Sequence, residues 1–174
     1  MEDLVSESES AQVTIRKATV KDVPIMARII NSYAAQGQML PKSYHQLYQD
    51  IRDYVVTTNG EEIVGCGALH VVWEDLAEIR SLAVVEDWRG KDVGRLMVEH
   101  LLREAYALGL PQVFALTYHQ GFFERMGFHV VSRESLPHKI WGDCLNCLKF
   151  PNCDEVALIL DLKHTEEEHD EAKG

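Results

Sequence analysis

Apolar and polar positions alternate over residues 13–17, which predicts an opening strand. The period then lengthens. Ile25, Ile29, Ile30 and Tyr33 recur at helical spacing, with Asp22 placed as N-cap and Pro24 in the first turn. Gly37 punctuates this helix, and a shorter one is expected from Ser43 through Tyr48. Residues 54–58 and 63–73 read as strands joined by Asn59-Gly60, a strong hairpin signal, and a second turn at 73–76 leads into a strand over 77–85. The longest helix is predicted from Gly90 or Lys91 to Ala107, with Leu96, Leu101, Leu102 and Ala105 as its buried stripe and Gly109 as its stop. A strand over 112–117, a short helix over 121–126 and a strand over 128–132 follow. A loop of about 20 residues rich in Pro, Cys and Gly then precedes a last strand at 156–161. The order β-α-α-β-β-β-α-β-α-β-β mixes hairpins with helical crossovers. It predicts an α/β (α+β) fold, a mixed sheet with helices on both faces.

A chain of 174 residues, 46% hydrophobic and 26% charged, fits one globular domain. Its apolar runs are far shorter than the roughly 20 residues of a membrane span, so no membrane partner is expected. The acidic start MEDLVSESES has neither the basic nor the apolar part of a secretory signal, and a cytoplasmic location is the default. The net charge of −11 is concentrated at the ends: residues 1–10 carry four acids and no base, residues 165–174 five acids and one lysine. Residues 1–11 and 165–174 are therefore expected to be disordered acidic tails around a domain at 12–164. No basic stripe exists outside one short turn, which argues against nucleic-acid binding.

That turn lies in EIRSLAVVEDWRGKDVGRL, residues 78–96. A strand ending in Leu82-Ala83-Val84-Val85 runs into Trp88-Arg89-Gly90-Lys91-Asp92-Val93-Gly94 and opens a helix. Successive backbone N–H groups at such a helix start can cradle a phosphate, assisted by Arg89, Lys91 and Arg95. Arg89-Gly90-Lys91-Asp92-Val93-Gly94 and, further on, Phe123-Glu124-Arg125-Met126-Gly127-Phe128 together resemble the two markers of the GCN5-related N-acetyltransferase (GNAT) family. In the family's Arg/Gln-x-x-Gly-x-Gly/Ala motif, Asp92 stands where the middle glycine is usual. The resemblance covers roughly residues 13–163. It implies a mostly antiparallel, twisted sheet of about six or seven strands and acetyl-CoA as cosubstrate. Residues 63–69, 77–84, 116–117 with 122–123, and 136–139 are most similar to the acetyltransferase domain of N-acetylglutamate synthases. This implies transfer to the α-amine of L-glutamate, the entry step of arginine biosynthesis. Members of the fold frequently dimerise, so a homodimer is expected to be possible. Another small amine or amino acid as acceptor is the first alternative. A non-catalytic acyl-CoA-binding or metal-responsive module is the second.

The residues suggest a division of labour. Glu78, Arg80 and Leu82 would share one strand face by period-two geometry, Glu78 as general base and Arg80 as carboxylate partner. By resemblance the backbone of Leu82, Ala83 and Val84 would pair with the pantetheine arm, while the turn from Arg89 through Gly94, with Arg95, would hold the pyrophosphate. Phe123, also counted on the coenzyme side, stands where many members carry an acidic tyrosine and has no proton to give. Tyr118 is the candidate acid, with Thr117 and His119 beside it. Arg16, Thr117, Arg133 and Lys139 join Arg80 as candidates at the substrate end. Cys144, Cys147 and Cys153 form C-x2-C-x5-C, a spacing that a structural zinc would use with His138 or Asp154 as a further ligand; free thiols are the alternative.

Overall fold

The computed structural model describes residues 12–136 and 154–162. Strands β1 (Thr14–Lys17), β2 (Tyr54–Asn59), β3 (Glu62–Trp73), β4 (Leu76–Val84), β5 (Gln112–Thr117), β6 (His129–Val131) and β7 (Val156–Asp161) form one sheet in the order β1-β2-β3-β4-β5-β7-β6. Only β4 and β5 are parallel; every other pair is antiparallel. Helices α1 (Val23–Ala35), α2 (Tyr44–Gln49), α3 (Val93–Ala107) and α4 (Gln120–Arg125) complete the described elements. The mixed, mostly antiparallel sheet is the one expected. No helix among the described residues is long and apolar enough to cross a membrane. The two expected tails, residues 1–11 and 165–174, lie outside the described residues.

Local chemistry explains the element ends. The β2–β3 hairpin turns at Gly60, whose φ of 61° suits a residue without Cβ. Ser43 and Gln46 form a reciprocal capping box at α2: the Ser43 hydroxyl accepts from the Gln46 amide at 3.1 Å, and the Gln46 side-chain oxygen accepts from the Ser43 amide at 2.9 Å. At α1, Pro24 sits in the first turn as expected, but the Asp22 side chain does not cap the helix. It instead accepts from Arg16 at 2.7 and 3.0 Å and from the Thr19 amide at 2.7 Å, clamping β1 to the start of α1. The Arg16 guanidinium, together with these hydrogen bonds, holds the Asp22 carboxyl below its ordinary range. Helix α3 begins at Val93, later than the sequence suggests, because Gly90 (φ 76°) and Asp92 (φ 63°) are left-handed and cannot join a right-handed helix.

The two sheet faces are covered differently. On one, Met26, Ala27 and Ile30 of α1 pack with Tyr54, Val56, Cys66, Ala68 and Ala83. On the other, Val98, Leu101 and Ala105 of α3 pack with Val55, Leu69, Ala77, Ile79 and Val113, joined by Phe123 and Phe128. Alternation along each strand sends neighbouring residues to opposite layers. It breaks once in β4: Ala68 faces Arg80, but Cys66 faces Ala83, so Ser81 and Leu82 oppose Gly67 alone. Ser81 is left-handed there, with φ of 54°. The bulge corrects the expected face of Leu82. Glu78 and Arg80 remain together on the α1 side, whereas Leu82 crosses to the α3 side, where a Cβ on Gly67 would come within 3.0 Å of its Cδ1.

Candidate active site

The parallel ladder between β4 and β5 is short. It pairs Leu76, Ala77 and Glu78 with Gln112, Val113 and Phe114, after which β4 runs on to Val84 and β5 to Thr117 with no further register between them among the described residues. The diverging edges open a cleft of about 490 Å³. Its floor is residues 79–84 and Leu116 with Thr117. One wall comes from Tyr33, Gln38 and Met39, and the other from Trp88, Arg89, Gly90, Asp92, Val93, Gly94 and Arg95, with His119, Phe122, Phe123 and Arg125 closing the end. A strand stretch with no register to β5 beyond Glu78, flanked by apolar side chains, suits an extended chain carrying its own amide groups.

The turn at the cleft's end presents the start of a helix to the cleft. Helix α3 spans 15 residues, and its first backbone bond runs from the Leu96 amide to Asp92 O. The amides of the first turn have no partner within the helix and stand with the positive end of its dipole. Gly94 lets this end approach α4: a Cβ there would lie 3.4 Å from the Phe122 ring. The Asp92 side chain makes no capping bond and is 71% exposed, 3.6 Å from Arg95. Its carboxylate thus points outward, and its left-handed backbone explains why glycine suits the position. Lys91 does not line the cleft; its ammonium lies 4.8 Å from the centre of the Trp88 ring. Arg95 also pairs with Glu99 at 2.8 Å, which raises its already high pKa. Asp92→Gly is expected to leave the KM for acetyl-CoA unchanged or to lower it by no more than about fivefold, the scale of one screened surface charge. Steady-state kinetics check it, and a large rise would overturn the outward-facing carboxylate.

On the strand, Glu78 and Arg80 form a pair at 2.7 Å through Nη2 and 3.2 Å through Nε. Their side chains are 14% and 18% exposed. Arg80 lines the cleft; Glu78 is not among the lining residues and sits two positions before Arg80, where the ladder to β5 ends. The bulge beyond them is pinned from beneath. The buried Tyr54 hydroxyl donates to Ser81 Oγ at 3.2 Å, and the Cys66 thiol donates to Ser81 O at 3.8 Å. Burial pushes both the Tyr54 hydroxyl and the Cys66 thiol up to about 12, so each stays protonated as a donor. Tyr33 donates its hydroxyl to the Val84 carbonyl and fixes the far end of the same strand.

The remaining candidates fall on both sides of the cleft wall. Thr117 lines it and accepts from the His119 amide at 2.9 Å. Tyr118, between them, is not among the lining residues; His119 is. Phe123 is buried and stacks edge-on with Phe122 and Phe128 at 5.1 and 5.2 Å. Arg16, held by Asp22, and Arg133, which donates to the Glu155 carbonyl at 2.6 and 3.1 Å, do not line the cleft. Both guanidiniums brace the fold. Lys139, Cys144, Cys147 and Cys153 lie outside the described residues. Among the described residues, no group of three or more His, Cys, Asp or Glu side chains is arranged to hold a metal ion. Tyr33, Gln38 and Met39 line the cleft, although the sequence pattern places Tyr33 in a helix and the other two in the connection after it. For the bulge a signal did exist, since glycine inside a strand (Gly65, Gly67) marks bulges and close approaches.

Residues 26–128 match the acetyltransferase (GNAT) family. The chain is 40% identical over 153 residues to an uncharacterized N-acetyltransferase of Chlorobaculum tepidum, covering 88% of this chain and 99% of that one. It is 38% identical over 153 residues to an amino-acid acetyltransferase of Mycobacterium tuberculosis, with coverages of 86% and 85%. Among solved structures, the N-acetylglutamate synthase of Neisseria gonorrhoeae complexed with coenzyme A and N-acetyl-glutamate superposes with a TM-score of 0.79 at 27% identity. That alignment covers 87% of this chain and 35% of the larger protein.

Proposed function

We propose that this chain, which belongs to the acetyltransferase (GNAT) family and is an acetyl-CoA-dependent N-acetyltransferase, acetylates the α-amine of L-glutamate. The single observation that carries the acceptor reading is the Glu78–Arg80 pair beside the cleft. It sets a proton acceptor and a carboxylate-binding guanidinium two residues apart on one sheet face. The likeness to relatives named amino-acid acetyltransferase, and to a synthase holding N-acetyl-glutamate, supports it.

In this reading the pyrophosphate of acetyl-CoA rests on the first turn of α3, and its pantetheine arm adds to the free edge of β4 in the opening left by β5. Glu78 takes a proton from the acceptor nitrogen, which attacks the thioester carbonyl carbon. An amide of the 82–84 strand donates to the carbonyl oxygen as negative charge develops there, a contribution of roughly a few kcal/mol. The C–S bond then breaks, the nitrogen gives up its remaining extra proton, and that proton passes through water to the departing thiolate, whose moderate pKa requires no dedicated acid. Phe123, buried against Phe122 and Phe128, supplies shape and no proton. Tyr54, Cys66 and Tyr33 act on this step indirectly by holding the strand.

Free-thiol release from acetyl-CoA, measured across the twenty amino acids and common polyamines, tests the acceptor. Release is expected with L-glutamate well above every other amine. Equal or greater release with a polyamine or a neutral amino acid would overturn it.

A further inference from the structure

A second ionisable pair stands on the same sheet face as Glu78 and Arg80. The register of β3 with β4 sets His70 directly across from Glu78, and Ala68 across from Arg80. Side chains of opposed residues point to the same side, with Cβ atoms about 5 Å apart. His70 Nδ1 lies 2.8 Å from Oδ2 of Asp53, the residue immediately before β2. An ionised carboxylate only accepts, so the proton of the neutral ring sits on Nδ1 and the lone pair on Nε2. The side chains of His70 and Asp53 are 35% and 30% exposed against 14% for Glu78. The face therefore grades from a sheltered carboxylate to a ring in contact with water.

A carboxylate that takes one proton per turnover must lose it before the next, and Arg80 occupies one of its oxygens. We propose that His70, held in one tautomer by Asp53, is the relay residue that carries the acceptor's proton from Glu78 to solvent. It is a positioning residue in that it acts through Glu78, and it rests on the reading of Glu78 as base. The proton leaves the acceptor nitrogen for a Glu78 oxygen and passes through an intervening water to His70 Nε2. There it forms an imidazolium beside Asp53, and it is then released to bulk water. Only O–H and N–H bonds form and break, and no electrons change hands. The ring meets Asp53 directly and stands across the ladder from Glu78, which pairs with Arg80.

The test uses the full chain with His70→Ala, His70→Gln and Asp53→Asn, following thiol release with saturating acetyl-CoA and glutamate. For His70→Ala the expected result is a fall in kcat of about tenfold or more, with both KM values held. Added imidazole should restore the rate saturably. Asp53→Asn is expected to fall less, because the ring remains while its tautomer is released. A His70→Ala protein that keeps kcat within about twofold, or that loses it without any response to imidazole at an unchanged melting temperature, would overturn the relay. Should His70→Ala lower the melting temperature, His70→Gln gives the same reading with a polar side chain in place. A wild-type protein inactive with every amine defeats the proposed function itself; an active wild type with a silent His70→Ala defeats only the relay.

Discussion

Glu78→Gln is expected to lower kcat by about a hundredfold or more while leaving the KM for acetyl-CoA close to its original value. The substitution is nearly isosteric. Its amide oxygen can still accept from the Arg80 guanidinium, which now bonds Oε2 at 2.7 and 3.2 Å, so the strand and the cleft floor keep their geometry. What is lost is the capacity to take a proton. The acceptor amine is mostly ammonium near neutral pH, and without Glu78 to take its proton it must react from the small fraction already deprotonated. The acid limb of the pH–rate profile should therefore change shape, and the remaining rate should rise as pH increases the free-amine fraction. The turn at residues 89–94, beyond the opposite end of β4, should not register the change. A kcat within about threefold of wild type, or an unaltered pH–rate profile, would remove Glu78 from the reaction.

Why the shared face of Glu78 and Arg80 was legible, while the fold contacts of Arg16 and Arg133 were not, is a matter of sequence distance. Two residues apart on a strand, a pair shares a face for geometric reasons that need no tertiary information. Arg16 meets Asp22 across the β1–α1 connection, and Arg133 meets the Glu155 carbonyl across 22 positions. Composition and period alone do not show which partner a guanidinium meets in the fold. The elements themselves followed from periodicity because each buries one face, and the Asn59-Gly60 turn and the Ser43–Gln46 box are local codes. The cleft depends on something less local, the point where β4 and β5 stop pairing. The bulge that follows is set by Gly67, Tyr54 and Cys66 acting together from three positions on two strands. Period-two reasoning carried past Arg80 consequently put Leu82 on the wrong side. The glycine pattern of the turn at residues 89–94 was readable with one exception, Asp92, which takes a left-handed φ of 63° with its side chain directed away.

Arg80→Met is the complementary change and is expected to raise the KM for glutamate by about ten- to a hundredfold, the equivalent of one lost charge-assisted hydrogen bond of roughly 1.5–3 kcal/mol. The KM for acetyl-CoA should move little. Methionine keeps much of the aliphatic stem, so the packing beside Ala68 across the ladder is largely retained. The charge balance is not retained. Glu78, 14% exposed, would remain as a carboxylate that has lost the guanidinium now 2.7 Å away. Breaking one side of a sheltered pair costs more than removing both. The melting temperature should therefore fall in Arg80→Met and recover, at least in part, in the Glu78→Gln/Arg80→Met double variant, whose activity remains at the level of Glu78→Gln. That combination separates two roles that a single variant confounds. If Arg80 served only to neutralise Glu78, the single variant would lose stability and kcat with the glutamate KM unchanged. If it also receives the substrate carboxylate, the KM for glutamate rises selectively over that for a neutral amino acid of similar length, such as glutamine. The selective rise is the expected result, and an equal rise for both acceptors would leave Arg80 a structural partner of Glu78 and nothing more.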